Sequence, residues 1–220
     1  MFIQRTYLHL AMTVVLYAAM EFVLLNLIGP QAQTAILRTM FGASWTGLLV
    51  IGAFMAISWF SQSLASQESS RGLQYAGLVM FAALEAIITF PILLYANRAQ
   101  PGVLPIAGLL TMVVFGGLTA FAFVSKQDFS FLGRYLALAI LIALGVVVCG
   151  MIFGFSQGIW FSAVMIAIMA GYILYDTSNV MYHYRTTQHV AAALALFSSV
   201  VTLFVYIVRF LLESQSRRND

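Results

Sequence analysis

The sequence predicts an all-α integral membrane protein, a seven-transmembrane helical bundle, and three observations carry that prediction. Seven apolar stretches, each close to the ~20 residues that cross a bilayer, fill the 220-residue chain and leave only short links between them. Hydrophobic residues make up 62% and charged residues 8%, against about 25% charged in a soluble domain, and mean hydropathy is +0.97. Val, Ile and Phe run contiguously rather than alternating, which excludes the strand pattern of an outer-membrane barrel.

Taken in order, the predicted spans are 7–28, 46–64, 73–96, 103–125, 135–155, 158–182 and 190–212. The first follows only six residues and has further spans behind it, so it reads as an uncleaved signal anchor rather than a secretory signal peptide. The second carries Gly52 and Ala56, and the fifth Gly150 and Gly154; both are small-xxx-small pairs expected to allow close helix approach. The third contains Pro91, which should kink or loosen it. Gly, Pro and charge punctuate the junctions at Gly29-Pro30, Glu68 to Gly72, Asn97 to Gly102, Lys126 to Arg134, Ser156 to Gly158 and Arg185 to His189. Residues 1–220 therefore read as a single seven-helix domain. The single cysteine, Cys149, excludes an intramolecular disulfide.

Lys and Arg near the span ends set orientation. With the N-terminus in the cytoplasm, Arg5, Arg71, Lys126, Arg134 and Arg185 lie inside, and Arg38 and Arg98 outside. Seven crossings send Arg209, Arg217 and Arg218 outside and even the tally. Seven crossings are still preferred, because residues 190–212 are long enough to span. The net charge of +3 fits contact with an anionic lipid bilayer, and no basic domain exists to hold nucleic acid.

Function then rests on the polar residues inside the spans. Three carboxylates lie there, Glu21, Glu85 and Asp176, each costing about 2.5 to 3.5 kcal/mol at mid-helix on an insertion scale. Such groups face a bundle interior or a wet cavity and mark ion pathways. At ~1.5 Å per residue, Asp176 lies about 10 Å from the cytoplasmic end of the sixth span. Glu85 lies near the middle of the third and Glu21 in the outer half of the first. Facing inward, they would form a ladder across the membrane. The plainer reading is that each is a protonated group hydrogen-bonded to a neighbouring helix.

Tyr172, Asp176, Asn179 and His183 follow at steps of four, three and four, which places them on one helix face. The last span carries a matching stripe of Ser198 or Ser199, Thr202, Tyr206 and Arg209, and the first carries His9, Thr13, Tyr17 and Glu21. Taken individually, interhelical hydrogen bonding accounts for the Ser, Thr and Tyr residues better than an ion path does, and an interfacial headgroup position does so for His9 and His183.

Soluble-enzyme motifs are absent: there is no phosphate loop, no Gly-x-Ser-x-Gly elbow, no His-Glu-x-x-His and no cysteine pair for a metal. Tyr175-Asp176 resembles the Tyr-Asp pair of intramembrane aspartyl proteases, but those need a second Asp in a span, and none is present. The chain reads as a non-enzyme without a cofactor.

Two segments carry a family resemblance. Lys126, Gln127, Asp128, Phe129, Ser130, Phe131, Leu132 and Gly133, followed by Ile173, Leu174, Tyr175, Asp176, Thr177, Ser178, Asn179 and Val180, resemble the Bax inhibitor-1 family, especially its bacterial YccA-like branch. The likeness runs best over 119–212, with Arg5-Thr6-Tyr7 fitting more loosely. It implies a central helix wrapped by six others, in a bacterial cytoplasmic (inner) membrane. In some members it implies a pH-sensitive calcium leak, with Asp176 as pH gate and a transient calcium contact. In others it implies binding to the membrane-anchored ATP-dependent protease FtsH and slowing of its proteolysis. Leak members pair the helix-six Asp with a second Asp in the last helix, and this chain has Ser198-Ser199 there. Glu85 resembles a helix-three Glu of animal members and would compensate. The N-terminal tail, about six residues, is short for a protease modulator. The expectation is a pH-sensitive cation leak for calcium or protons through Asp176, Glu85 and Glu21, with a non-conducting FtsH modulator as the alternative.

Overall fold

A computed structural model describes residues 1–42, 44–67 and 70–219. The described residues form eight helices and no strand: α1 Phe2–Leu27, α2 Pro30–Gly42, α3 Ser44–Ala65, α4 Arg71–Ala99, α5 Val103–Ser125, α6 Leu132–Phe153, α7 Gly158–Tyr182 and α8 His189–Asn219. Seven are long and apolar enough to cross a membrane, all but α2. Hydrocarbon offers no partner to a backbone N–H or C=O, so each span must close its own hydrogen bonds as a helix. The seven helices coincide with the seven predicted spans to within a few residues at most ends. Glu68, in the second predicted junction, lies outside the described residues, as do the side chains of Arg217 and Arg218.

The eighth helix, α2, departs from the expectation of an irregular link after Gly29-Pro30. Pro30 occupies its first position, where a missing N–H costs nothing. Gln33, Ile36 and Leu37 form its partly buried face. The Gln33 amide donates to the carbonyls of Leu25 (3.2 Å) and Ile28 (2.9 Å), satisfying the end of α1 where intrahelical donors run out. At thirteen residues, α2 is too short to register as a span.

The last predicted span is longer than expected, His189–Ser216, which adds Glu213 to its residues. The α4 helix continues through Pro91 to Ala99 without a break. Positive φ angles close three ends, at Gly102 before α5, Lys126 after α5 and Gly154 after α6.

The helices pack as two compact units, one of Met1–Pro91 with Val180–Ser198, the other of Ile92–Asn179 with Ser199–Asp220. In the first, Phe197 meets Tyr17 (5.8 Å between centroids) and Phe81 (6.2 Å) edge-on, a geometry aromatic pairs favour. Here α3 and α4 approach closely at Gly77, where a Cβ would stand 2.6 Å from both the Ala65 nitrogen and the Ser61 carbonyl oxygen. The second unit is cored by Leu93, Ala107, Met165, Met169, Ile173, Leu203 and Val208. Exposed apolar residues such as Leu109, Val113, Leu138 and Leu141 lie on α5 and α6, as hydrocarbon-facing spans require.

The expected small-residue contacts are corrected at both places. A Cβ on Gly52 would meet nothing within 4 Å, so that pair has no close approach to serve. At Gly150 the near atoms are Gln157 and Phe155, the chain turning back after α6, and Gly154 is the left-handed cap of that helix. Gly150 is needed by its own following turn rather than by another helix.

Candidate functional site

Asp176 lies on α7 in the second unit and is 6% exposed. Ser199, on α8 and equally buried, donates its hydroxyl proton to Asp176 Oδ2 across 2.6 Å. Of the predicted alternatives Ser198 and Ser199, the structure selects Ser199; Ser198 is only half-buried. The rest of the predicted stripe is less coherent. Tyr172 is half-buried and packs edge-on against Tyr175, and Asn179 and Thr202 are half-buried. His183 falls outside the stripe, because α7 ends at Tyr182 and His183 is exposed in the turn that follows.

Arg209 and Tyr206 belong to a separate cluster. The Arg209 guanidinium lies 3.7 Å from Glu213, 3.4 Å from the Gln157 side-chain oxygen and 5.7 Å from the Tyr206 ring centroid. Ser162 donates to the other Glu213 oxygen at 2.8 Å, and Phe161 meets Tyr206 edge-on. The predicted match between Arg209 and the Asp176 stripe is therefore replaced by pairing with Glu213, one turn along α8. A guanidinium held by a carboxylate and an aromatic face is satisfied where it stands. Among the described residues, Ser199 is the one side chain hydrogen-bonded to Asp176, and no basic group pairs with it.

Glu21 and Glu85 both lie in the first unit, each 5% exposed. They meet at Thr89, which sequence reasoning passed over. The Thr89 hydroxyl oxygen is 2.6 Å from Glu21 Oε1, 2.6 Å from the Glu85 backbone carbonyl and 2.9 Å from the Tyr17 hydroxyl. Glu21 reaches Thr89 through its carboxyl and Glu85 through its backbone carbonyl alone, one turn away in α4. Glu21 Oε2 is buried without a partner, and no hydrogen bond reaches the Glu85 carboxyl among the described residues. The helical spacing of Glu85 and Thr89, one turn apart, was the available signal.

At the other end of the α1 stripe His9 also meets α4, at Tyr75. Its Nδ1 lies 2.6 Å from the Arg5 carbonyl and its Nε2 3.0 Å from the Tyr75 hydroxyl, with the His189 ring edge-on at 4.9 Å. Among the described residues no group of three or more His, Cys, Asp or Glu converges on a metal position. Calcium asks for six to eight oxygens, so Asp176 with one serine does not build a resident calcium site.

A family model described as inhibitor of apoptosis-promoting Bax1 matches residues 1–217. The chain belongs to the Bax inhibitor-1 family. It is similar to an uncharacterized protein of Neisseria meningitidis serogroup A, 28% identical over 78% of this chain and 75% of that protein. It is also similar to Bax inhibitor 1 of Oryza sativa subsp. japonica, 27% identical over 79% of this chain and 70% of the relative. Bax inhibitor 1 of Schizosaccharomyces pombe is 29% identical over 66% of this chain and 54% of its own.

In this Bax inhibitor-1 family protein the two segments that carried the resemblance touch. Ser178 donates to Asp128 Oδ1 at 3.0 Å and accepts from the Phe129 backbone N–H at 2.8 Å. A Cβ on Gly133 would stand 2.6 Å from the Tyr175 ring. The link before α6 meets α7 just after Asp176, at Ser178, and the first turn of α6 meets it just before, at Tyr175. It is a multi-pass membrane protein with bacterial relatives.

Proposed function

We propose that this protein is a pH-sensitive cation leak, passing calcium or protons across a bacterial cytoplasmic membrane, with the charge on Asp176 as its gate. One observation carries the reading: a buried carboxyl on α7, bonded across to Ser199 on α8 and left without a basic partner. A carboxyl that no cation neutralises has its charge set by the proton, and such groups inside a membrane mark ion paths or relays. Ser198-Ser199 stand where the leak members of the family are expected to place a second Asp, and Ser199 supplies a hydrogen bond without a second charge. Calcium, on this reading, is cargo.

The test is flux from liposomes holding the purified chain, with calcium and proton indicators read across pH. The leak reading expects ion passage that depends on pH in the wild type and not in Asp176→Asn. A wild-type protein that passes no ion at any pH overturns it. Partnership with a membrane-anchored ATP-dependent protease would then be sought by co-purification from native membranes in mild detergent.

A further inference from the structure

The cluster around Thr89 has more short oxygen contacts than ionised glutamates could supply with protons. Three pairs converge on one hydroxyl: Thr89 with Glu21 Oε1 at 2.6 Å, with the Glu85 carbonyl at 2.6 Å, and with the Tyr17 hydroxyl at 2.9 Å. An unshared hydrogen bond needs its own proton, and a proton split between two acceptors serves each more weakly. Thr89 has one to give and Tyr17 has one, and a backbone carbonyl has none. With Glu21 ionised, two protons serve three contacts, and the two 2.6 Å contacts must share the single Thr89 proton. A proton on Glu21 Oε1 resolves the count. Thr89 then accepts from Tyr17 and from Glu21, using both lone pairs, and donates to the Glu85 carbonyl, so its full capacity is used.

We infer that Glu21 is a proton-binding site, held as the neutral acid and donating to Thr89, and that this proton ties α1 to α4. The surroundings agree. Glu21 is 5% exposed and its second oxygen is buried without a partner, a placement far costlier for a charge than for an acid. The titratable groups facing it are Tyr17 from its own helix and, through Tyr17, the Glu85 carboxyl from α4. Phe197 of α8 presents only a ring edge to Tyr17. Among the described residues, no Lys, Arg or His partners Glu21.

Loss of the proton has a defined consequence. Thr89 must turn its single proton either to the Glu21 carboxylate or to the Glu85 carbonyl, and the other contact fails. The failure falls where α4 is already short of a bond, since Pro91 offers no N–H to the Ile87 carbonyl four residues before it. Proton release from Glu21 therefore loosens α4 within the first unit. The site is independent of the leak assigned to Asp176 and stands or falls by a different measurement.

That measurement is infrared spectroscopy of the full chain in lipid vesicles at neutral pH, where solvent-exposed carboxylates are ionised and a protonated carboxyl gives a separate carbonyl band. The expected result is a band in the wild type that loses the hydrogen-bonded component in Glu21→Gln, a component that Glu85→Gln and Asp176→Asn leave in place. Gln supplies an N–H to Thr89 and keeps the cluster bonded, so unfolding of Glu21→Gln should depend less steeply on pH than that of the wild type, which unfolds at lower temperature as pH rises. Thr89→Val keeps the acid but removes its acceptor, and should move the band towards an unbonded carbonyl. A band of equal area in wild type and Glu21→Gln, or one that Thr89→Val leaves in place, overturns the inference.

Discussion

Replacing Ser199 with Ala removes the one donor among the described residues that reaches the Asp176 carboxyl, and its cost follows from the geometry. The bond is short, 2.6 Å, and both residues are 6% exposed, so water does not replace the lost hydroxyl. Stripping a buried acceptor costs about 1 to 3 kcal/mol in soluble proteins. Interhelical bonds in membranes average ~0.6 and reach ~1.7 kcal/mol, because the unfolded chain in lipid also finds partners. The expected loss is therefore about 1 to 1.5 kcal/mol, on the order of a five- to twelvefold shift in the folding equilibrium. Reversible unfolding in mixed detergent–lipid micelles measures it. A double-mutant cycle with Asp176→Ala isolates the pairwise part, which should be most of the single-mutant loss, and Ser199→Thr should recover part of it by restoring a hydroxyl. A cost for Ser199→Ala below about 0.3 kcal/mol, or additive single and double mutants, would refute the claim that this bond joins α7 to α8.

Three further outcomes are expected. Asp176→Asn should abolish the pH dependence of liposome flux, and a wild-type pH profile in that variant removes Asp176 from the mechanism. Gly77→Ala should destabilise the protein by about 1 to 3 kcal/mol through overpacking against α3 backbone, whereas Gly116→Ala, whose Cβ meets nothing within 4 Å, should be neutral or gain up to about 1 kcal/mol from helix propensity; equal unfolding midpoints for the two would contradict the close approach of α3 and α4. Glu85→Gln should reduce flux while leaving the unfolding midpoint close to wild type, because among the described residues its carboxyl has no hydrogen bond to lose, and unchanged flux would confine the ion path to Asp176.

Membership, class and crossing number were all legible in the residues. Hydropathy is a sum over neighbours in the chain, so seven apolar runs and sparse charge are enough to specify seven membrane helices. The segments 126–133 and 173–180 likewise carried the family. Asp176 stood out because a carboxylate inside a span is costly wherever the helix points. Local chemistry also explains what was missed near chain breaks: α2 is too short and polar to register as a span, and Glu213 lay one residue beyond the predicted end of the last one.

Partners were another matter, because they depend on how a helix is rotated about its axis and what faces it. Neighbours such as Ser198 and Ser199 differ by ~100° of azimuth, and only packing decides that Ser199 faces Asp176. The same uncertainty hid Thr89, which belongs to an acidic cluster solely because α1 lies against α4 there. It also made Gly52 and Gly77 look alike, although one faces open space and the other a backbone. The sequence by itself determined that this protein is a seven-span member of the Bax inhibitor-1 family with carboxylates in its helices. Tertiary structure alone decided which hydroxyls hold those carboxylates, since burial of an apolar residue is satisfied by lipid or by protein, while a buried polar atom is satisfied only by a partner at one distance and one angle.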